Sequence, residues 1–228
     1  MPLTNNIITI DGPAGSGKGT VAKIVAEKMG YSYLDTGAMY RTVAHAIKTN
    51  NIDINDSNKL KFFLNGILIE IKNDNENVPK YFLNKQDVTD KIRTPEITML
   101  SSNIAAIKTV REYLVKLQRE LGTNGNLVAE GRDMGTYVFP DADFKFFLEA
   151  TEEERADRRY KELIEKKIDV NISYEEVLED IKNRDKQDRE RKESPLHPAL
   201  NAVIIDTTNL TPNEVVGKIL NTLEATSI

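Results

Sequence analysis

A glycine-rich segment near the N-terminus carries the residue types and spacing that most clearly allow chemistry. Gly12, Gly15 and Gly17 let the backbone turn tightly with its N–H groups pointing inward, because no Cβ obstructs the turn. Lys18 follows directly and adds a full positive charge. Inward-pointing N–H groups and an ammonium favour a polyphosphate. The segment therefore predicts a phosphate-binding loop; the alternative is a glycine-rich connection that binds no ligand.

The flanking sequence predicts the elements that would position this loop. Residues 7–10 form a β-branched, largely apolar run that is typical of a buried parallel strand. Apolar residues recur over residues 21–29, which predicts a helix whose positive dipole end points at the loop. The segment follows the pattern G-x-x-x-x-G-K-[ST] except at Gly19, with Thr20 one residue later. This order resembles the loop of nucleoside monophosphate kinases.

The composition limits the classes of protein to which the chain can belong. Its 228 residues suffice for one α/β domain with insertions. Lys and Arg number 31 against 36 Asp and Glu, and the net charge of −5 argues against a general nucleic-acid binder. Cysteine is absent, which excludes disulfides and thiolate metal sites. No signal-peptide or membrane-spanning pattern is found, so we expect a cytoplasmic protein with no membrane partner. We also expect a monomer, with no nucleic-acid partner.

Strands alternate with helices along most of the chain. The expected core strands are residues 7–10, 31–34, 126–130, 143–148 and 202–206. This alternation predicts a central parallel sheet with helices on both faces. A helix is also expected over residues 38–48, with Arg41 in its first turn. A cation there opposes the helix dipole, so Arg41 either has an anionic partner or is solvated.

Residues 60–92 have a different character. Two strand-like runs flank the polar segment 73–77, which is the pattern of a hairpin. Antiparallel hairpins do not belong in a doubly wound core, so this stretch is predicted to be an insertion that carries a small sheet. Thr94 and Pro95 then begin a helix or helix pair that runs to about residue 121.

Helix starts in the second half are marked by Ser or Thr with Glu three residues later. The pairs are Thr151 with Glu154, Ser173 with Glu176, and Thr211 with Glu214. The spacing then places two charged groups each on one helix face. The first group is Arg155, Arg158 and Arg159, and the second is Arg184, Asp188 and Arg191. The alternative for both is a solvated face of mixed charge.

Five segments together resemble the bacterial cytidylate kinase family. They are residues 12–20, 34–41, 92–94, 130–136 and 184–191. The first is shared by many nucleotide kinases, whereas the Gly-Arg-Asp-Met-Gly-Thr loop and the sheet insertion are more particular. The resemblance implies an α/β P-loop kinase fold in one domain over residues 1–228. A nucleoside-monophosphate-binding part would cover 36–111, including the 60–92 insertion, and a helical lid 151–172.

The same resemblance implies transfer of the γ-phosphate of ATP to CMP or dCMP, with Mg²⁺ accompanying ATP. The residues implied for ATP are Gly12, Pro13, Ala14, Gly15, Ser16, Gly17, Lys18, Gly19, Thr20, Arg155, Arg158 and Arg159. Those implied for CMP are Thr36, Arg41, Ser102, Arg111, Arg132, Asp133, Arg184, Asp188 and Arg191. The implied catalytic residues are Lys18, Glu130, Arg132, Arg184 and Arg191, and no residue is assigned directly to the metal.

Departures from the family pattern leave some roles open. Glu130 stands where Asp is frequent, so it either holds a magnesium-bound water or is structural. Ala14 stands where some relatives have Ser. The alternative functions are a kinase for UMP, another nucleotide or a small alcohol, and a nucleotide-binding regulatory protein. The Asp133 carboxylate would accept from the amine of cytosine and repel the carbonyl of uracil, which favours CMP.

Overall fold

The computed structural model describes residues 6–74, 78–165 and 171–225. The chain forms two compact units. The first, here called the core unit, comprises Met1–Asp35 and Leu121–Ile228, and the second, the middle unit, comprises Thr36–Glu120. The middle unit begins where the expected 36–111 part begins. The expected single domain over residues 1–228 stays a prediction.

Strands and helices alternate through the described residues, as follows. The strands are β1 (Ile7–Asp11), β2 (Ser32–Asp35), β3 (Ile69–Asn73), β4 (Pro79–Leu83), β5 (Gln86–Asp87), β6 (Leu127–Gly131), β7 (Phe144–Glu149) and β8 (Val203–Asp206). The helices are α1 (Lys18–Met29), α2 (Thr36–Thr49), α3 (Ser57–Gly66), α4 (Pro95–Ile104), α5 (Lys108–Leu121), α6 (Glu152–Glu165), α7 (Tyr174–Glu190) and α8 (Pro212–Ala225). A 3₁₀ turn covers Lys91–Arg93 and a π-helical turn Met134–Val138. None of the helices in these ranges has the length and apolar character that crossing a bilayer requires.

The core unit contains a five-stranded parallel sheet in the order β2-β6-β1-β7-β8. Strand β1 lies at its centre, and Ile8 and Ile10 are buried with apolar residues of α1 and α8, including Val21, Val25 and Val216. Central parallel strands are apolar because helices cover them. The predicted parallel sheet and P-loop kinase fold are confirmed, with strand ends displaced by about one residue.

The carboxyl ends of three strands meet at one edge of this sheet. Asp11 of β1 lies opposite Gly131 of β6, and Asp35 of β2 lies opposite Glu130. The loops that follow β1 and β6 therefore start side by side. In open parallel sheets this edge is where ligands bind.

The middle unit contains the predicted small antiparallel sheet, in the order β3-β4-β5. Residues 75–77 of the connecting segment lie outside the described residues. The two strand-like runs that flank segment 73–77 correspond to β3 and β4, whereas helix α3, which ends at Gly66, was not predicted. Only Leu60 and Leu64 of this helix are buried, while Phe62 is 84% exposed. Two buried residues are too few to give a clear helical period.

Two further boundaries correct the sequence-based expectations. Helix α2 begins at Thr36 rather than residue 38, so Arg41 lies in the second turn and the dipole argument no longer applies to it. Helix α7 ends at Glu190, and Arg191 has an extended ψ of 140° as the residue that caps it. Arg191 therefore does not share a helix face with Arg184 and Asp188. The helix pair after Thr94 is confirmed as α4 and α5.

Helices α6 and α7 pack on each other in the core unit. Their shared cluster contains Ala156, Leu163, Val177 and Ile181, together with Ala14 of the glycine-rich loop. Both hydrogen bonds of the capping box predicted at Ser173 are present. Residues 166–170 of the expected lid lie outside the described residues. A small side chain at position 14 thus suits the packing of the loop against these helices.

Candidate active site

The glycine-rich loop between β1 and α1 has no space for side chains at two positions. Gly12 has φ +154°, and a Cβ there would lie 2.1 Å from the carbonyl oxygen of Leu148. Gly15 has φ +75°, and its Cβ would lie 2.9 Å from both Cβ and the carbonyl oxygen of Arg155. Both positions therefore require glycine. The loop is confined between the end of β7 and the start of α6.

Lys18 is the first residue of α1 and is buried. Its Nζ donates to the carbonyl oxygen of Pro13 at 3.1 Å and lies 4.0 Å from Oε2 of Glu130. Burial, and next the charge of Arg132, lowers the pKa of Lys18 to about 7. Ser16 Oγ is also buried, and within the described part of the chain it has no hydrogen-bond partner. A bound phosphate oxygen would satisfy both side chains.

Glu130 and Asp35 form a pair of carboxyl groups beside this lysine. They are cross-strand neighbours at the ends of β6 and β2, and their side chains share a hydrogen bond. Burial, and next the charge of Asp35, raises the pKa of Glu130 to about 7. A Cβ at Gly19 would lie 3.6 Å from Oε1 of Glu130. The position that has Ser or Thr in other loops of this type therefore lies beside a carboxylate here.

Asp11 holds the loop that follows β6. Its Oδ1 accepts the N–H of Met134 at 2.9 Å, and its Oδ2 accepts the N–H of Gly135 at 2.8 Å. Burial raises the pKa of Asp11 to about 6, although the two N–H groups act in the opposite direction. The sequence reasoning did not single out Asp11. The available signal was a lone acidic residue at the end of an otherwise apolar central strand.

Charged residues from that loop and from α7 form a compact cluster. Arg132 Nε donates to Oδ2 of Asp188 at 2.8 Å. Arg191 Nη1 lies 3.7 Å from Oδ1 of Asp188, and its Nη2 lies 3.8 Å from Oδ1 of Asp133. Burial alone would favour the neutral carboxyl, yet Arg132, Arg184 and Arg191 hold the pKa of Asp188 below its usual range. Arg184 also acts electrostatically on Lys18.

The three arginines of α6 have separate partners. Arg155 is 2% exposed and bonds to Ala14 and Asp185. Arg158 donates to Thr207, and its Nη1 would lie 3.9 Å from a Cβ at Gly17. Arg159 pairs with Glu162 at 2.7 Å in an exposed position. The three side chains therefore do not form one group.

The other expected CMP residues lie in the middle unit: Thr36, Arg41, Ser102 and Arg111. Arg111 is buried, and its Nη1 donates to the carbonyl oxygen of Ala105 at 3.2 Å. Its guanidinium lies over the ring of Tyr40, 5.9 Å from the centroid. This contact joins α5 to α2 within the unit.

The core unit thus brings together seven expected site residues around the carboxyl ends of β1 and β6. They are Lys18, Glu130, Arg132, Asp133, Arg184, Asp188 and Arg191. Four are cations and three are carboxyl groups. Closely placed cations with a buried lysine are suited to stabilising phosphate groups whose charge is shared in a transition state.

Comparison with known proteins gives a consistent result. The sequence profile described as cytidylate kinase matches residues 8–225. A cytidylate kinase of Bacillus subtilis (strain 168) is 50% identical, over 96% of this chain and 97% of that protein. One of Fusobacterium nucleatum is 46% identical, over 97% of this chain and 99% of that protein. An uncharacterized protein from Eubacterium ventriosum shares the fold with TM-score 0.53 at 12% identity, covering 97% and 99% of the two chains.

Proposed function

The chain belongs to the cytidylate kinase family, and from this premise we propose how its residues transfer the γ-phosphate of ATP to CMP or dCMP. The carrying observation is that Lys18 of the glycine-rich loop is within electrostatic range of Arg132 and Asp188, which form a bonded pair with Arg191 beside it. A protein that only holds or hydrolyses ATP needs a donor site and no second anion site. The cluster of arginines outside the loop indicates a second phosphate-binding site, as a kinase needs for its acceptor.

The donor phosphates lie in the glycine-rich loop. Backbone N–H groups of residues 12–17, the start of α1 and Lys18 favour the β- and γ-phosphates. Ser16 Oγ, buried without a partner in the described part of the chain, adds a further donor. Arg158 of α6 lies near Gly17, where a Cβ would be 3.9 Å from its Nη1, and it is suited to the nucleotide. Arg159 contributes from the same helix.

Magnesium accompanies ATP at the carboxyl pair. Glu130 and Asp35 supply the oxygen atoms that Mg²⁺ prefers. A nearby cation would stabilise the charged form of Glu130, whose pKa is raised by burial and next by the charge of Asp35. Within the described ranges no group of three metal-ligating side chains is found. Glu130 and Asp35 would therefore be the residues that hold the ion, in the manner of a carboxylate bonded to a magnesium-bound water. When bound, the ion neutralises charge on the donor phosphates.

The phosphate of CMP is bound by arginines of the core unit. Arg132 and Arg191 bind it, because each guanidinium group can donate two parallel hydrogen bonds to a phosphate. Asp188 orients Arg132 through the 2.8 Å bond, and Arg184 adds positive charge. Asp133 accepts from the amine of cytosine. Membership of the family is the support for Thr36, Arg41, Ser102 and Arg111 as further CMP residues.

These residues catalyse mainly by placement and charge. Lys18, Arg132, Arg184 and Arg191 stabilise the transferring phosphoryl group, with the two reacting oxygens in line. The described part of the expected lid, residues 151–165 and 171–172, is proposed to exclude water from the site. Because every group in this scheme comes from one chain, we propose a monomer. We also propose a cytoplasmic location, where nucleotide monophosphates and ATP are available.

A coupled assay of ADP formation tests the function with CMP, dCMP, UMP, AMP and GMP at equal concentrations. CMP and dCMP are expected to give the highest kcat/KM. Comparable turnover of UMP would contradict the cytosine-reading role of Asp133. ATP consumption that is insensitive to all five monophosphates would contradict the kinase function itself. Sedimentation and cell fractionation test the monomer and the location.

A further inference from the structure

A buried ion pair joins helices α6 and α7 of the core unit. Nη2 of Arg155 donates to Oδ2 of Asp185 at 2.6 Å, and the side chains are 2% and 5% exposed. Such a pair is costly to desolvate, so a well-packed apolar pair could replace it without loss of stability. Its presence therefore calls for a role beyond stability.

The remaining bonds of Arg155 lead to the donor loop. Its Nη1 donates to the carbonyl oxygen of Ala14 at 3.0 Å, and its Nε donates to that of Ala150 at 3.0 Å. At the next position, a Cβ on Gly15 would lie 2.9 Å from the carbonyl oxygen of Arg155. The loop thus lies directly against α6 and is bonded to it. With its guanidinium buried in these bonds, Arg155 has no exposed group for ATP.

The other end of the pair leads to the acceptor residues. Asp185 lies on α7 between Arg184 and Asp188, and Asp188 accepts from Arg132 at 2.8 Å. The connection from Ala14 to Arg132 therefore consists of the Arg155–Asp185 pair, one turn of α7 and the Asp188–Arg132 pair. Its first members contact the donor loop, and its last members belong to the phosphate cluster.

We propose that Arg155 and Asp185 are positioning residues, which fix the donor loop relative to α7 and so keep the two phosphates in line. This inference rests on the kinase function proposed above. A displacement of 1 Å at a reacting centre can lower turnover about a hundredfold, whereas each nucleotide still binds to its own contacts. Positioning therefore affects kcat more than either KM.

The test uses Arg155→Lys and Asp185→Asn in the full chain, with Asp157→Asn as the matched control. Asp157 pairs with Lys161 at 2.6 Å on the exposed side of α6. We measure kcat and the KM for ATP and for CMP below the thermal transition recorded by circular dichroism. Each of the two variants is expected to lower kcat by about a hundredfold with little change in either KM. The control is expected to remain near wild type.

Two other outcomes overturn the proposal. If Arg155→Lys raises only the KM for ATP while Asp185→Asn retains its kcat, then Arg155 contacts ATP directly. If both variants melt earlier but the folded protein keeps its kcat, the pair only stabilises the fold. If Asp185→Asn does not fold, Arg155→Lys, which retains the charge, decides by the same criteria. A wild-type protein that forms no CDP would instead contradict the proposed function, independently of the pair.

Discussion

Arg132 and Asp188 are 56 positions apart in the chain, and Nε of one donates to Oδ2 of the other at 2.8 Å. Their side chains are only 16% and 10% exposed. The bond fixes one edge of the guanidinium. The positive charge of Arg132 is only partly compensated, because Asp188 also lies beside Arg191. An incoming anion would therefore stabilise the guanidinium of Arg132.

Asp188→Asn is therefore expected to destabilise the unliganded protein and to increase the stabilisation by CMP. Removing one partner of a buried pair costs about 3–5 kcal/mol, because the remaining charge is uncompensated. The phosphate of CMP would compensate that charge. Thermal melts with and without CMP measure both effects, with Asp180→Asn on the exposed side of α7 as the control. An equal shift by CMP in wild type and variant would contradict the role of Arg132.

ATP binding at pH 8 is expected to take up protons at Lys18. The pKa of Lys18 is lowered to about 7 in the free protein, mainly by burial, and bound phosphates raise it again. Titration calorimetry in two buffers of different ionisation heat measures the uptake. Lys18→Ala should fold, lose the uptake and fall in turnover by orders of magnitude. If the measured binding heat is the same in both buffers, no proton is taken up, and this prediction is contradicted.

The lowered pKa of Lys18 also predicts the direction in which the stability of the protein changes with pH. Its folded pKa of about 7 lies below the ordinary value of 10.5, so the unfolded chain binds more protons between these values. The contribution of Lys18 to stability therefore increases as pH rises from about 7 towards 10.5. Urea unfolding of wild type and Lys18→Ala at pH 7 and pH 9 measures this contribution. The free energy of unfolding of wild type relative to that of Lys18→Ala should be larger at pH 9 than at pH 7.

Glu130→Gln keeps the size of the side chain and removes its charge. If Glu130 acts on magnesium through water, turnover falls and the magnesium concentration needed for half-maximal rate rises. Glu149→Gln, at the exposed end of the neighbouring strand β7, serves as the control. Earlier melting with an unchanged magnesium curve would show that Glu130 is structural.

Arg191→Ala and Arg189→Ala form a matched pair at the end of α7. The Arg191 side chain is 5% exposed and lies near Asp133 and Asp188, whereas Arg189 is exposed. Arginines that stabilise phosphoryl transfer are worth about 10³–10⁵ in turnover, and exposed pairs about 0–1 kcal/mol. We expect Arg191→Ala to lower kcat/KM for CMP at least about a hundredfold, with Arg189→Ala nearly silent. Similar kinetics for both would contradict a role of Arg191 in phosphoryl transfer.

Asp11→Asn tests whether the loop after β6 needs its buried carboxylate. An amide offers one oxygen to the two N–H groups of Met134 and Gly135, so one of them loses its acceptor at a cost of about 1–3 kcal/mol. We expect lower kcat/KM for CMP, because this loop carries Arg132 and Asp133. In wild type, kcat/KM for CMP should decrease when the pH is lowered below about 6, because Asp11 becomes protonated. A variant with unchanged kinetics would contradict the role.

Much of the core could be predicted from sequence, because its signals are local. The glycines and Lys18 define the loop by spacing, and the apolar run before them defines β1. The helix starts at Ser173 and Thr211 follow from capping residues whose bonds are present in the structure.

The remaining features depend on tertiary contacts. Periodicity showed that Arg155 shares a helix face with its neighbours, but it could not show that this position meets the loop at Ala14. Likewise, Arg191 continues the spacing of Arg184 and Asp188, yet the helix ends one residue earlier and its capping conformation places the side chain. Asp11 has no periodic signal, since its partners lie far along the chain.

The position of β1 at the centre of the sheet has a consequence for synthesis on the ribosome. Both neighbours of this strand, β6 and β7, are made only after the whole middle unit has been translated. Contacts between segments so far apart form late, because a long loop must close first. A nascent chain that ends before residue 127 carries the glycine-rich loop without either strand that holds it. The ability to bind ATP therefore arises late in translation, after the middle unit has emerged.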